Sequence, residues 1–139
     1  PKLRVLVPGR IAGAKGETLL RPLISATADI AEYLLVGAGR AGMGFFGTPG
    51  VDVIPDYDLA QLPGLLDRLR PDLALLPRSV AETFSYSLSE MQALHLPVLA
   101  TANGAYPERI RDGIDGLLAA PSTEALAARL RKIAADRHV

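Results

Sequence analysis

Residues Arg70–Ala100 read RPDLALLPRSVAETFSYSLSEMQALHLPVLA. An apolar run opens this stretch at Asp72–Leu76 and another closes it at Pro97–Ala100. Both are too short for helices, and both have the near-continuous hydrophobic character of strands covered on two faces. Between them lie a loop and a predicted helix, from about Glu82 to Leu94. Strand, helix and strand in that order make a right-handed βαβ unit with parallel strands.

The start of the helix carries the chemistry. Thr83-Phe84-Ser85-Tyr86-Ser87 supplies hydroxyls and backbone N–H groups where a helix begins. Such a start collects unpaired donors and the positive end of a dipole, which suits phosphate. Glu82 stands beside it and Glu90 lies eight residues on. Carboxylates accept hydrogen bonds from sugar hydroxyls. Eight helical residues span about 12 Å at ~1.5 Å each, whereas the paired carboxyls of a glycoside hydrolase sit roughly 5–9.5 Å apart. The longer span matches the reach from a sugar ring across a pyrophosphate to a ribose. Two exposed glutamates on a helix are the plain alternative.

The same alternation extends in both directions. Leu3–Val7, Glu32–Val36, Val51–Ile54 and Leu117–Ala119 read as further strands. Glu17–Ala28 has Leu19, Leu20, Leu23, Ile24 and Ala28 at helical spacing, with Glu17 in the first turn. Asp58 is placed to cap a helix running to about Arg70, with Leu59, Leu62, Leu65, Leu66 and Leu69 on one face. Pro63, five residues on, predicts a kink or a late start. A short helix is expected over Pro107–Arg111. Ser122 offers a cap to a last helix, Thr123–Asp136, whose Arg129, Arg131 and Lys132 lie towards its negative end. The prediction is one Rossmann-like α/β domain, a parallel sheet of about six strands with helices on both faces. Ligands of such sheets gather beyond the carboxyl ends of the strands, where strand order reverses. The loops expected there are 8–16, 37–50, 55–58, 77–82 and 101–106.

Bulk composition removes several classes. The chain has 139 residues, enough for one domain with a real core, of which 49% are hydrophobic and 22% charged. Fifteen basic and fifteen acidic side chains cancel, leaving no basic field for nucleic acid. Cysteine is absent, which excludes disulfides, iron–sulfur clusters and the common structural zinc sites. His95 and His138 are too few and too separated for a metal site, and His95 reads as a helix C-cap. No apolar run reaches the ~20 residues of a membrane helix, no signal peptide is visible, and a cytoplasmic setting is expected. Opening on PKLRVLV without methionine, the chain reads as a piece of a longer polypeptide.

Other segments carry competing readings. Arg10 and Lys15 flank the first loop at the expected ligand edge. They read either as cations that neutralise a diphosphate or, taken alone, as solvated loop residues. Gly37–Gly50, GAGRAGMGFFGTPG, has six glycines and reads as a loop. Its Gly37-x-Gly39-x-x-Gly42 matches a dinucleotide fingerprint in letters. It lacks the helix opening at those glycines and follows the second strand, not the first. Phe45 and Phe46 read as a plug at the sheet edge or as a face for a missing partner lobe. Tyr57 is placed either to stack on a base or to pack half-buried.

Taken together, the motifs resemble the C-terminal, donor-binding lobe of GT-B glycosyltransferases, most closely the retaining family 4. Gly9-Arg10-Ile11-x-x-x-Lys15-Gly16 resembles the family's G-R-L-x-x-x-K-G loop. Pro77, Glu82-x-Phe84 and Glu90 resemble its P-S-x-x-E-x-F-G…E helix. Gly104-Ala105-x-Pro107-Glu108-x-Ile110-x-Asp112-Gly113-x-x-Gly116-Leu117 resembles its G-G-x-P-E-x-I-x-D-G-x-x-G-L run. The resemblance spans Leu3 to about Ile133. Ser85, Ala105 and His95 stand where glycine is usual, and the glycine-rich loop replaces a helix.

By position, the resemblance implies that Arg10 and Lys15 hold a diphosphate, Glu82 meets sugar hydroxyls and Glu90 the ribose. Backbone around Phe84, Ser85 and Tyr86 would touch phosphate or sugar. Gly9, beside Arg10, and Tyr57, read above as either a stacking or a packing residue, complete the candidate binding residues. The resemblance implies a nucleotide-diphospho-sugar as donor, retention of anomeric configuration, no cofactor and no metal. It also implies an N-terminal acceptor lobe in the parent polypeptide, without which the isolated lobe transfers nothing. A non-catalytic nucleotide-binding or assembly module and a GT-B nucleotide-sugar epimerase are the alternatives.

Overall fold

Strand β1, Leu3–Pro8, is one of the two central strands of a six-stranded sheet that runs β3-β2-β1-β4-β5-β6. The structure is a computed structural model that describes residues 2–8, 17–37, 44–45, 47–54, 59–76, 96–102, 110 and 116–136. The other strands are β2 (Ala31–Val36), β3 (Val51–Ile54), β4 (Leu73–Leu76), β5 (Val98–Thr101) and β6 (Leu117–Ala119). All five pairings are parallel. Every boundary falls within one residue of the one expected from sequence.

Period-two alternation sorts the strand side chains onto two faces. Val5, Val7, Leu35, Leu73, Leu75 and Leu99 form one core with helix α1 (Glu17–Ala26) and helix α3 (Thr123–Asp136). Leu6, Leu34, Val36, Ala74, Leu76, Val98 and Ala100 form the other with helix α2 (Leu62–Leu69). Because both faces are covered, β4 and β5 are buried at every residue and read as unbroken apolar runs. The edge strands β3 and β6 are only partly buried.

The helices depart from expectation in instructive ways. Helix α1 stops at Ala26, so Ala28 is exposed in a turn rather than in the core. Thr27 ends it: its backbone N–H and its hydroxyl both donate to the Leu23 carbonyl, at 3.0 and 2.7 Å. The same hydroxyl meets the Tyr33 phenol at 2.6 Å, inside the core. Helix α2 does start late. A 3-10 turn at Leu59–Gln61 precedes it, Gln61 holds the N-cap position expected for Asp58, and Pro63 sits in the first turn where no N–H is needed. Leu62 and Leu65 are buried, with Leu66 and Leu69 packed against them. Asp58 itself, the 82–94 helix and His95 lie outside the described residues. Of the short helix expected at 107–111 only Ile110 is described, and it is buried outside any helix, packed near Gly116.

Helix α3 has the expected bounds and cap, the Ala125 N–H donating to the Ser122 hydroxyl at 3.2 Å. Its cations do not serve its own dipole, since the last turn holds no basic residue. Arg131 instead caps α1, donating to the Ala26 carbonyl at 2.7 Å and to both Asp29 carboxylate oxygens at 3.0 Å. The negative end of α1 gains a cation from another helix. The described part of the glycine-rich segment folds as a loop. Gly47 and Gly50 have positive φ, and Phe45 is buried in the α1 core with the Arg21 guanidinium 4.1 Å from its ring centre. The reading of Phe45 as a plug holds, while Phe46 lies outside the described residues.

Candidate functional site

The site is defined first by where strands end. From β1 the chain steps outward through β2 to β3, then returns to the opposite side of β1 as β4. Strand order therefore reverses between β1 and β4, the place where loops splay apart and open a crevice. Registers make this edge level. Pro8 pairs with Val36, Val36 with Ile54, and Leu76 with Ala100. The β1–β4 pairs are Val5 with Leu73 and Leu6 with Ala74, and each strand ends two residues further on, at Pro8 and Leu76. Two segments thus leave the same edge of the sheet from neighbouring strands.

Each expected binding residue belongs to a segment rooted on this edge. Gly9, Arg10 and Lys15 follow β1; Glu82, Phe84, Ser85, Tyr86 and Glu90 follow β4; Tyr57 follows β3. All nine lie outside the described residues. The described strand ends bring together the roots of the first two groups. They do not do the same for Tyr57, whose segment starts two strands from β1, roughly 10 Å along the edge.

The described ion pairs cluster at the other end of the sheet. Arg4, second in β1, binds Glu32 at 2.6 Å and the Leu69 carbonyl, the last residue of α2, at 2.8 Å. Its backbone N–H donates to the Asp72 carboxylate at 2.8 Å, and the Asp72 N–H returns a bond to the Arg4 carbonyl at 2.7 Å. Asp29 and Arg131 lie at the same end, where the guanidinium holds the Asp29 carboxyl below its ordinary range and is itself raised. These charges close helix C-termini and fix strand starts. No group of three or more metal-ligating side chains occurs among the described residues.

One polar residue at the carboxyl edge escaped the sequence reading. Thr101, the last residue of β5, has no exposed surface, and its hydroxyl donates to the Leu76 carbonyl across the strand at 3.5 Å. The signal was available: one hydroxyl closes the otherwise apolar run Pro97–Ala100, directly before Ala102-Asn103-Gly104.

A doubly wound parallel sheet with strand order 3-2-1-4-5-6 and a switch between β1 and β4 defines a Rossmann-like domain. The chain belongs to the family of glycosyl transferases group 1, which it matches over residues 3–136. It is 29% identical over 130 residues to the D-inositol 3-phosphate glycosyltransferase of Mycolicibacterium vanbaalenii, covering 79% of this chain and 28% of that protein. Anabaena Alr3699/HepE, solved in complex with UDP, superposes with a TM-score of 0.78 at 22% identity, over 98% of this chain and 40% of that one. The C-terminal domain of the group 1 glycosyl transferase LpcC from Francisella tularensis gives 0.77 at 22% identity, over 98% and 77%. The chain therefore spans well under half the length of the first two proteins. Among the described residues no helix is long and apolar enough to cross a membrane.

Proposed function

We propose that this chain is the donor-binding lobe of a retaining, family 4 GT-B glycosyltransferase, and that its ligand is a nucleotide-diphospho-sugar. The observation that carries the reading is the level β1/β4 switch, from which the Arg10–Lys15 and Glu82–Glu90 segments both depart. Arg10 lies two residues beyond Pro8, within about 7 Å of the strand end, and Glu82 six beyond Leu76, within about 21 Å. Both are within reach of one crevice. HepE, also solved with UDP-glucose, supports this class of ligand.

Transfer breaks the bond from the sugar anomeric carbon to the diphosphate oxygen and forms one to an acceptor hydroxyl, whose proton passes to a base on the acceptor lobe. The departing diphosphate keeps the electron pair and gains negative charge. Arg10, by a bidentate grip, and Lys15, as a point charge, meet that charge beside the helix start at Phe84–Tyr86. This donor set takes the place of a metal ion. Glu82 orients the sugar and Glu90 the ribose, while Gly9 lets the backbone approach the donor. Tyr57 borders the base. An acceptor lobe elsewhere in the parent polypeptide supplies the acceptor hydroxyl, so the isolated chain binds nucleotide weakly and transfers no sugar. Isothermal titration of the 139-residue chain with UDP, GDP and TDP tests the reading. Heat of binding with at least one at millimolar ligand is expected, and silence with all three would overturn it.

A further inference from the structure

We draw no further inference here: the strongest candidate, the outer edge of the sheet at β3, where half-buried Val51, Val53 and Ile54 flank an exposed Asp52, carries nothing because nothing in the structure shows what covers it.

Discussion

Replacing Gly116 by alanine puts the steric account of the β5–β6 connection to a direct test. A Cβ at Gly116 would lie 2.9 Å from the Val98 carbonyl oxygen, 3.3 Å from Ile110 Cγ2 and 3.7 Å from Val98 Cβ. The first neighbour is backbone of β5, held between β4 and β6, and cannot withdraw without loosening a ladder. The second is a side chain 1% exposed within the α2 core. Overpacking of this kind costs about 1–3 kcal/mol. With an unfolding entropy of about 2.1 cal/mol/K per residue, a chain of this length loses roughly 3–10 °C in Tm. Gly64→Ala is the control. Gly64 lies in α2 with nothing within 4 Å of its added Cβ, and alanine there is expected to stabilise by about 0.5–1 kcal/mol. Melting both variants by circular dichroism separates the two effects. A Gly116→Ala melt within a degree of wild type, or a fall shared by both variants, would refute the reasoning.

Burial pushes the Tyr33 phenol up to about 12, against the opposing pull of its hydrogen bond with Thr27. Because the folded value lies above the unfolded one of 10.0, the contribution is full below pH 10 and lost as pH rises through 12. Urea unfolding at pH 8 and pH 11.5 should show a drop that shrinks by about 1–3 kcal/mol in Tyr33→Phe; equal drops would contradict it. Arg70 closes α2 at φ 50°, ψ 57°, a left-handed geometry costly for any side chain. Arg70→Gly is expected to gain about 0.5–1 kcal/mol, read as a higher urea midpoint, and a lower midpoint would count against the strain argument. Arg10→Ala and Lys15→Ala should each weaken UDP binding about tenfold at low salt while leaving uridine unaffected. Equal losses for both ligands would deny them a phosphate role.

The strands were legible because burial on both faces writes an unbroken apolar run, and LRVLV, LALL and VLAT carry that mark without ambiguity. Pro63 likewise announced the late start of α2, and Ser122 the cap of α3. Helix ends were less legible, because what decides them is distant in sequence. Nothing in Glu17–Ala28 reveals that Thr27 will turn its hydroxyl back to Leu23, or that Arg131 will arrive from α3 to close the helix. The cations of α3 were misassigned to their own dipole for the same reason. At the candidate site, the motif residues lie outside the described ones, and what the strand order supplies is the edge from which their segments depart.

Hydrogen–deuterium exchange of the 139-residue chain, with and without saturating UDP, addresses the central claim most directly. The account predicts slowed exchange in residues 9–16 and 77–90, on either side of the β1/β4 switch, with the amino edge around Arg4 and Asp72 unchanged. Protection confined to that amino edge, or to one of the two segments alone, would contradict a single donor crevice between β1 and β4.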